Sequence, residues 1–193
     1  MQICTRAGRA DEEPRRRFQT IAARNAAVKS RKPKPLAGNA LLEYAVRALA
    51  ARSLSQSELR ARLTARAERA SEIPQVMAQL KQYGYLDDRR FAETYTRLRR
   101  DNQGFGKYRV LRDLRARRVA PAVAEKTVAQ AYRDVDEDAQ IRQFLRRKLR
   151  YAGTPSSLDD PRRVASLYRM LLRAGFASGK ILEALRKLAA QPE

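Results

Sequence analysis

The sequence predicts an all-α protein in which three tandem three-helix repeats stack into an elongated, curved array behind a basic, disordered N-terminal tail. Three observations predict this class. From Ala40 onward, apolar residues recur at helical spacing, and little suggests strands. Capping residues and glycines divide this region into nine helical segments. The pattern also repeats roughly every 50 residues, a period typical of stacked helical arrays.

The repeat is clearest between the second and third groups of helices. A single shift of 57 residues superposes five apolar positions of one group on five of the other. The pairs are Val110 with Leu167, Leu114 with Leu171, Val119 with Phe176, Ala124 with Ile181, and Val128 with Leu185. The first group follows more loosely but keeps two i, i+4 pairs, Leu59 with Leu63 and Val76 with Leu80. Each unit is small, so contact with its neighbours should supply part of its stability.

The domain division follows from this repeat and from a change in composition near residue 38. Residues 1–38 hold ten Lys or Arg against three acids, a net charge of +7, and the segment RKPKPLAG at 31–38 is typical of an extended linker. This tail either touches DNA as a basic arm or is solvated and has no role. The predicted domains are the basic flexible tail and linker at 1–38 and three-helix repeats at 39–86, 87–134 and 135–193.

Local signals define the helices of the first repeat. A helix over Ala40–Arg52 is predicted to bury Leu42, Ala45, Val46 and Leu49. Ser55 and Glu58 predict a capping box at the start of the second helix. A third helix begins near Ser71, tolerates Pro74 in its first turn, and buries Ile73, Val76, Met77 and Leu80.

The second repeat begins at a junction where Gly84 ends one helix and Asp87 or Asp88 starts the next. The new helix runs to about Arg100, and its buried face is predicted to hold Phe91, Tyr95 and Leu98. The loop NQGFG at 102–106 leads to a helix carrying Val110, Leu111 and Leu114, and Pro121 opens the third helix. In the third repeat the predicted buried residues are Ile141, Phe144, Leu145, Leu149, Val164, Leu167, Leu171, Leu172, Ile181, Leu182, Leu185 and Leu188.

Composition narrows the possible functions. The formal charge is +21, from 42 Lys and Arg against 21 Asp and Glu, which indicates a polyanionic partner or an acidic protein surface. The absence of histidine removes the commonest general base and metal ligand, so we expect no catalysis, no metal and no cofactor. Cys4 is the only cysteine, and no segment is apolar enough to suggest a membrane span or a signal peptide. These features predict a cytoplasmic protein that does not contact a membrane.

Basic side chains recur on the predicted outer faces of successive helices. If these faces align, they form a ridge able to follow a phosphate backbone or a regularly repeated protein surface. The alternative is that Arg is simply a good helix former on solvated faces. A surface that only needs to be solvated usually carries positive and negative side chains together, so the excess of positive charge favours the ridge. The candidate contact residues are Arg90, Arg97, Arg100, Lys107, Arg109, Arg112, Arg115, Arg146, Arg147 and Arg150.

Other candidate sites have simpler explanations. Asp87 and Asp88 are adjacent acids at a helix start, where capping and the helix dipole account for them. Gly104 and Gly106 lack the third glycine and the preceding strand of a dinucleotide fingerprint. Four aromatic residues beside helix ends could stack on bases, but their positions favour packing between helices: Tyr83, Tyr85, Phe105 and Tyr108.

Three runs carry a family resemblance. SQSELRARL at 55–63, VMAQLKQYGYLDDRRFAETYTRLRR at 76–100 and GFGKYRVLRDLRARRV at 104–119 occur in the right order and spacing. The chain resembles the RecX family of bacterial recombination regulators over about residues 40–188, and the junction at 84–92 is the most specific part. The resemblance implies three tandem three-helix repeats, in agreement with the pattern described above. The long basic leader departs from the compact family pattern.

The resemblance also implies a function. Members of the family bind the RecA recombinase, especially its filament on single-stranded DNA, and restrain filament extension, strand exchange and co-protease activity without being enzymes. We expect this chain to do so as a monomer, with its basic helices against acidic protomer surfaces or DNA phosphates. A general nucleic-acid-binding helical protein acting directly on single-stranded DNA or RNA is the alternative, because short helix triplets and positive charge serve that role equally well. A helical scaffold for another acidic protein also remains open.

Overall fold

The computed structural model describes residues 34–150 and 160–189, and the predicted tail up to residue 33 lies outside the described residues. The described residues form nine α-helices: α1 Gly38–Ala51, α2 Gln56–Thr64, α3 Ile73–Gln82, α4 Asp88–Asp101, α5 Lys107–Ala116, α6 Pro121–Ala131, α7 Glu137–Arg150, α8 Pro161–Ala174 and α9 Ser178–Ala189. Within these ranges there is no strand, only an isolated bridge between Leu36 and Ala67. The all-α prediction is therefore confirmed.

The first core lies between α1, α2 and α3. Ser55 Oγ accepts a hydrogen bond from the N–H of Glu58 at 3.1 Å, and the Glu58 carboxylate accepts one from the N–H of Ser55 at 3.2 Å. This confirms the predicted capping box at the start of α2. Pro74 lies in the first turn of α3, where its missing N–H breaks no helical bond. The four predicted core residues of α3 are all buried: Ile73, Val76, Met77 and Leu80.

The face that α1 buries differs from the predicted one. Leu41, Ala45 and Ala48 form the buried row, at spacings of four and three residues, whereas Val46 is 39% exposed. Leu42 and Leu49 are partly buried at the edge of the core. The prediction included Ala45 but not Leu41 or Ala48. It was wrong for Val46 because apolar residues lie on two adjoining sides of α1, and periodicity alone does not tell which side faces the core.

The second core lies between α4, α5 and α6. Asp87 Oδ1 accepts hydrogen bonds from the N–H groups of Arg89 (2.9 Å) and Arg90 (3.0 Å), which confirms the predicted helix start. Toward this core α4 buries Ala92 and Thr96. Of the three residues predicted for the buried face of α4, Phe91 and Tyr95 are partly buried and Leu98 is 50% exposed. The prediction was therefore wrong for Leu98.

The third core lies between α7, α8 and α9. Phe176 is 1% exposed and meets Phe144 edge-on, with 5.7 Å between the ring centroids. Of the predicted core residues, Leu149, Val164 and Leu188 are partly buried. Two others are 46% exposed and correct the prediction: Leu172 and Leu182. These two leucines directly follow the buried Leu171 and Ile181, so they point to a different side of their helices.

The internal repeat is visible in the burial of side chains. All ten positions that the 57-residue shift relates, from Val110 to Leu185, are at most 7% exposed. The buried residues fall into three clusters, and Phe105 packs against both the second and the third. The exact repeat boundaries stay a prediction.

The repeat also extends to the contacts between successive groups. In each group, one carbonyl oxygen just after or at the end of the second helix accepts a hydrogen bond from an earlier part of the chain. Leu36 N–H donates to Arg66 O (2.7 Å), Ser55 Oγ donates to Arg117 O (2.5 Å), and Gly106 N–H donates to Ala174 O (2.9 Å). The shifts that relate these carbonyls, 51 and 57 residues, are the same shifts that relate the core residues Leu63, Leu114 and Leu171. The same kind of contact thus joins the linker to the first group, the first group to the second, and the second to the third.

The contact between the second and third groups is made by two glycines. Gly106 precedes α5 with φ −73°, and a Cβ atom on it would lie 2.2 Å from the carbonyl oxygen of Gly175. Gly175 follows α8 in the left-handed region at φ +90°, and a Cβ atom there would lie 2.2 Å from the backbone nitrogen of Arg109. Side chains larger than hydrogen would separate the two backbones.

The carbonyl of Phe105 anchors the same loop. The Tyr132 hydroxyl donates a hydrogen bond to it at 2.6 Å, and the Gln140 amide donates another at 3.0 Å. Burial raises the pKa of Tyr132, so its hydroxyl keeps the proton it donates. The loop from Asn102 to Gly106 therefore acts as a packing joint between α4, α6 and the third group.

Replacing Ser55 by Ala is expected to lower the free energy of unfolding by about 2 kcal/mol. The change removes the cap of α2 and the hydrogen bond to Arg117 O, leaving that carbonyl without its donor. Urea denaturation measures the loss. Ser57→Ala, in the first turn of the same helix, is the matched control and should be close to neutral, because the Ser57 side chain has no hydrogen bond among the described residues. Equal midpoints for the two variants would contradict the assigned role of Ser55.

A candidate cationic interface

The predicted contact residues divide into cations with and without an internal partner. Arg90 and Arg97 on α4 are exposed, and their guanidinium groups form no hydrogen bond or ion pair with any residue in 34–150 or 160–189. They are seven residues apart, two turns of one helix, and so lie on the same side of α4. Both guanidinium groups are therefore available to an anionic partner.

Arg100, at the end of the same helix, has a structural role. Its Nε lies 2.7 Å from Asp101 Oδ1, and its Nη1 donates to the carbonyl of Ala131 at 2.6 Å. The hydrogen bond from Arg100 lowers the pKa of the Asp101 carboxyl, and the same bond raises the pKa of Arg100. Both groups stay charged, and the guanidinium links α4 to the C-terminal end of α6.

Arg109 and Arg112 on α5 contact the end of α8. Arg109 Nη1 and Arg112 Nη2 each donate to the carbonyl of Arg173 at 3.3 Å. Arg109 Nε also pairs with Asp113 Oδ1 at 3.0 Å, and its guanidinium lies 5.1 Å from the ring centroid of Phe105. Cations at a helix C-terminus stabilise its unpaired carbonyls. The sequence interpretation, in which both arginines project away from the fold, overlooked this contact.

The other predicted cations on α5 are exposed but have neighbours. Lys107 Nζ lies 5.1 Å from the ring centroid of Tyr108. Arg115 Nη2 lies 2.7 Å from Glu125 Oε1, and both side chains are more than half exposed. Exposed pairs of this kind contribute about 0–1 kcal/mol, so Arg115 can exchange Glu125 for another anion at little cost.

On α7, the predicted cations have different environments. Arg146 is exposed and has no partner among the described residues. Arg147 donates to the carbonyl of Asn102 at 3.0 Å, and its guanidinium covers Gly104 so closely that a Cβ atom there would overlap it. The side chain of Arg150 lies outside the described residues. Arg147 joins α7 to the end of α4. The two helices that carry the unpaired Arg90, Arg97 and Arg146 are therefore neighbours.

Two further arginines matter that sequence analysis did not select. Arg99 and Arg117 each lie 4.9 Å from the ring centroid of Tyr95, and Arg117 also pairs with Glu58 at 3.5 Å. Both cover the aromatic edge of the second core, and Arg117 also connects it to α2. Tyr95 and Arg99 stand at i, i+4, a spacing that could have indicated their contact.

The aromatic residues beside helix ends only partly match their expected packing role. Phe105 packs between two cores as predicted. Three tyrosines are instead exposed by 52–65%: Tyr83, Tyr85 and Tyr108. Among the described residues, no group of three or more His, Cys, Asp or Glu side chains is placed to hold a metal ion. None of the described helices is both long and apolar enough to cross a bilayer.

Comparison with known proteins identifies the family. The model of the RecX second three-helix domain matches residues 87–128. The regulatory protein RecX of Deinococcus radiodurans is 36% identical over 179 residues, covering 91% of this chain and 83% of that protein. The chain belongs to the RecX family. The RecX protein of Trichlorobacter lovleyi is 32% identical over 143 residues, covering 74% of this chain and 92% of that protein. The resemblance stated from the sequence is confirmed.

Solved RecX structures share the fold. The crystal structure of RecX from Lactobacillus salivarius superposes with a TM-score of 0.61 at 19% identity, covering 78% of this chain and 96% of that one. A second crystal structure of a regulatory protein RecX superposes with a TM-score of 0.58 at 17% identity, covering 95% of this chain and 81% of that one. At these identities the likeness concerns the arrangement of helices and supports the helical-repeat prediction.

Proposed function

We propose that this RecX-family protein binds the filament that the RecA recombinase forms on single-stranded DNA and restrains filament extension, strand exchange and co-protease activity. The relatives are named as regulatory proteins, and the family resemblance implies the recombinase as the target. The chain contacts the single-stranded DNA either directly or through the recombinase filament. On this proposal the chain acts in the cytoplasm, as a monomer, without catalysis and without a cofactor.

The observation that carries the proposal is the set of exposed arginines that the fold leaves without an internal partner. No carbonyl or carboxylate of the described residues accepts a hydrogen bond from the guanidinium group of Arg90, Arg97 or Arg146. Six of the predicted cations, in contrast, contact a carbonyl, a carboxylate or an aromatic ring of the protein itself: Arg100, Lys107, Arg109, Arg112, Arg115 and Arg147. The free cations suit acidic protomer surfaces or DNA phosphates.

The repeat supports a mode of binding. A filament presents the same surface at regular intervals, and three related helix groups can bridge several protomers with many weak contacts. Each exposed ion pair contributes only about 0–1 kcal/mol, so affinity depends on their number. Inhibition is then expected to weaken as salt increases, because salt screens each pair. A protein that bound only the end of a filament would make fewer contacts, so its inhibition would depend less on salt.

Titration of preformed RecA filaments on single-stranded DNA tests the proposal. DNA-dependent ATP hydrolysis is measured against increasing amounts of this protein, with binding to the naked strand measured in parallel. We expect hydrolysis to fall at protein levels well below those of the recombinase and below those that coat the DNA. A fall that begins only when the strand is saturated means competition for DNA, and it would replace the proposal with the general nucleic-acid-binding alternative.

A further inference from the structure

An apolar groove of about 400 Å³ lies between α1 and α4, where the first and second groups of helices meet. Its lining is mostly aliphatic and aromatic. Val46 from α1 and Leu98 from α4 are 39% and 50% exposed, and Tyr85 from the preceding turn is 58% exposed. These are the same two aliphatic residues that helical periodicity assigned to the core. The fold leaves them in water along one groove, an arrangement typical of a binding site.

The one charged side chain in the lining that has no internal partner is an arginine. Arg90 lines it, and Arg97 is exposed next to Leu98 on the same helix; neither has a partner among the described residues. Arg47, next to Val46 on α1, is likewise exposed and without a partner in these ranges. The one carboxylate in the lining, Asp87, already accepts two backbone N–H bonds at the start of α4. An occupant that is apolar on one side and acidic at its flanks is therefore complementary.

The geometry favours a protein helix over unpaired bases. Base stacking needs free aromatic faces. Of the three aromatic rings in the lining, Tyr95 is covered by Arg99 and Arg117, and Arg117 also lies 5.9 Å from the Phe91 ring centroid. Only Tyr85 is exposed, so the groove offers a single free ring and not a row of stacking faces. The part of α4 that lines the groove, from Arg90 to Leu98, spans about 12 Å, close to the length that apolar residues at i, i+4 and i+7 cover on a partner helix.

We propose that this groove binds the apolar face of an acidic amphipathic helix from a partner protein. The apolar residues of that helix pack against Val46 and Leu98, and its carboxylates pair with Arg90 and Arg97. This inference goes beyond the proposed function, because it concerns an apolar protein contact and is tested without RecA. A failed filament assay and a failed groove assay are thus distinguishable.

A designed peptide tests the groove. The probe is a fluorescein-labelled 16-residue peptide with Leu at i, i+4, i+7 and i+11, which cover about 16 Å of a helix and so extend over the whole groove, and with Ala and Glu at the other positions. A second peptide of the same composition has its leucines distributed around the helix. Fluorescence anisotropy with the full-length protein is expected to show the patterned peptide binding about tenfold or more tightly than the scrambled one, since only the first presents a continuous apolar face.

Two groove variants and one matched control locate the binding. Leu98→Asp on α4 and Val46→Asp on α1 are each expected to weaken binding of the patterned peptide about tenfold or more, because each removes an apolar contact and adds repulsion. Leu182→Asp on α9 changes a leucine of similar exposure, 46%, outside the groove and should leave binding unchanged. Circular dichroism should show wild-type helix content in all three, since the altered side chains are exposed.

Several results would overturn the proposal. Equal affinity for the two peptides, or equal losses in Leu98→Asp and Leu182→Asp, would mean that charge alone drives binding. Absence of peptide binding to the wild-type protein counts against the groove as well. A single-stranded oligonucleotide that loses affinity in Leu98→Asp, while the peptide does not, would make nucleic acid the occupant. A dimer in light scattering that Leu98→Asp dissociates would make a second copy of this chain the occupant.

Discussion

Replacing Gly106 by Ala is expected to lower the free energy of unfolding by about 3 kcal/mol, although Ala adopts the backbone conformation of Gly106 without strain. At φ −73° the cost is purely steric, because the new Cβ atom would lie 2.2 Å from Gly175 O and 2.8 Å from Phe176 N. Backbone atoms cannot rotate away as a side chain does. Two hydrogen bonds hold the contact, from Gly106 N–H to Ala174 O and from Tyr108 N–H to Gly175 O.

Gly84→Ala is the matched control for this prediction. Gly84 has φ +73°, in the left-handed region, but a Cβ atom there would have nothing within 4 Å. Its replacement is expected to cost only about 1–2 kcal/mol, from backbone strain alone. Thermal and urea denaturation of the two variants rank the effects. If Gly84→Ala proves the more destabilising, backbone conformation governs the stability of this array and the close contact between the second and third groups does not.

Reversing the three unpaired arginines is expected to weaken filament inhibition about tenfold to hundredfold while leaving the melting temperature unchanged. The variant is Arg90→Glu, Arg97→Glu and Arg146→Glu. Each change removes an intermolecular pair of about 0–1 kcal/mol and adds repulsion toward an acidic surface, and 1.4 kcal/mol corresponds to a factor of ten. No side-chain hydrogen bond or ion pair of the described residues is lost, since none of the three has such a partner there. The protein concentration that halves ATP hydrolysis by RecA filaments gives the result.

A control with the same change in net charge separates position from charge. Arg162, Arg169 and Arg186 are exposed on α8 and α9 and were not selected as contacts. Their triple replacement by Glu alters the net charge equally. We expect it to retain most of the inhibition. If the two triple variants lose inhibition to the same extent, overall charge and not a defined surface drives binding, and the assignment of Arg90, Arg97 and Arg146 is wrong.

Burial was predictable where a large apolar residue repeats at helical spacing. The five pairs related by the 57-residue shift are all buried, because each must fill the same place in an equivalent core. Prediction was wrong for large apolar residues that lie beside the core row of their helix. On α1 the buried row is Leu41, Ala45 and Ala48, of which only Ala45 was predicted, and Val46 is exposed; on α4, Ala92 and Thr96 are buried and Leu98 is exposed. Periodicity finds apolar residues but cannot tell a core face from a binding groove.

The sequence by itself determined the helices, their caps and the order of the repeats, because those depend on neighbours a few residues apart. Ser55 with Glu58 and the Asp87 cap are local interactions of this kind. Only the tertiary structure decided which cations are free. Arg100 is held by a carbonyl 31 residues away and Arg109 by one 64 residues away, whereas Arg90 and Arg97 have no partner among the described residues. All four were predicted on the outer faces of their helices, and their availability depends largely on which distant carbonyls the packing of helix groups places beside them.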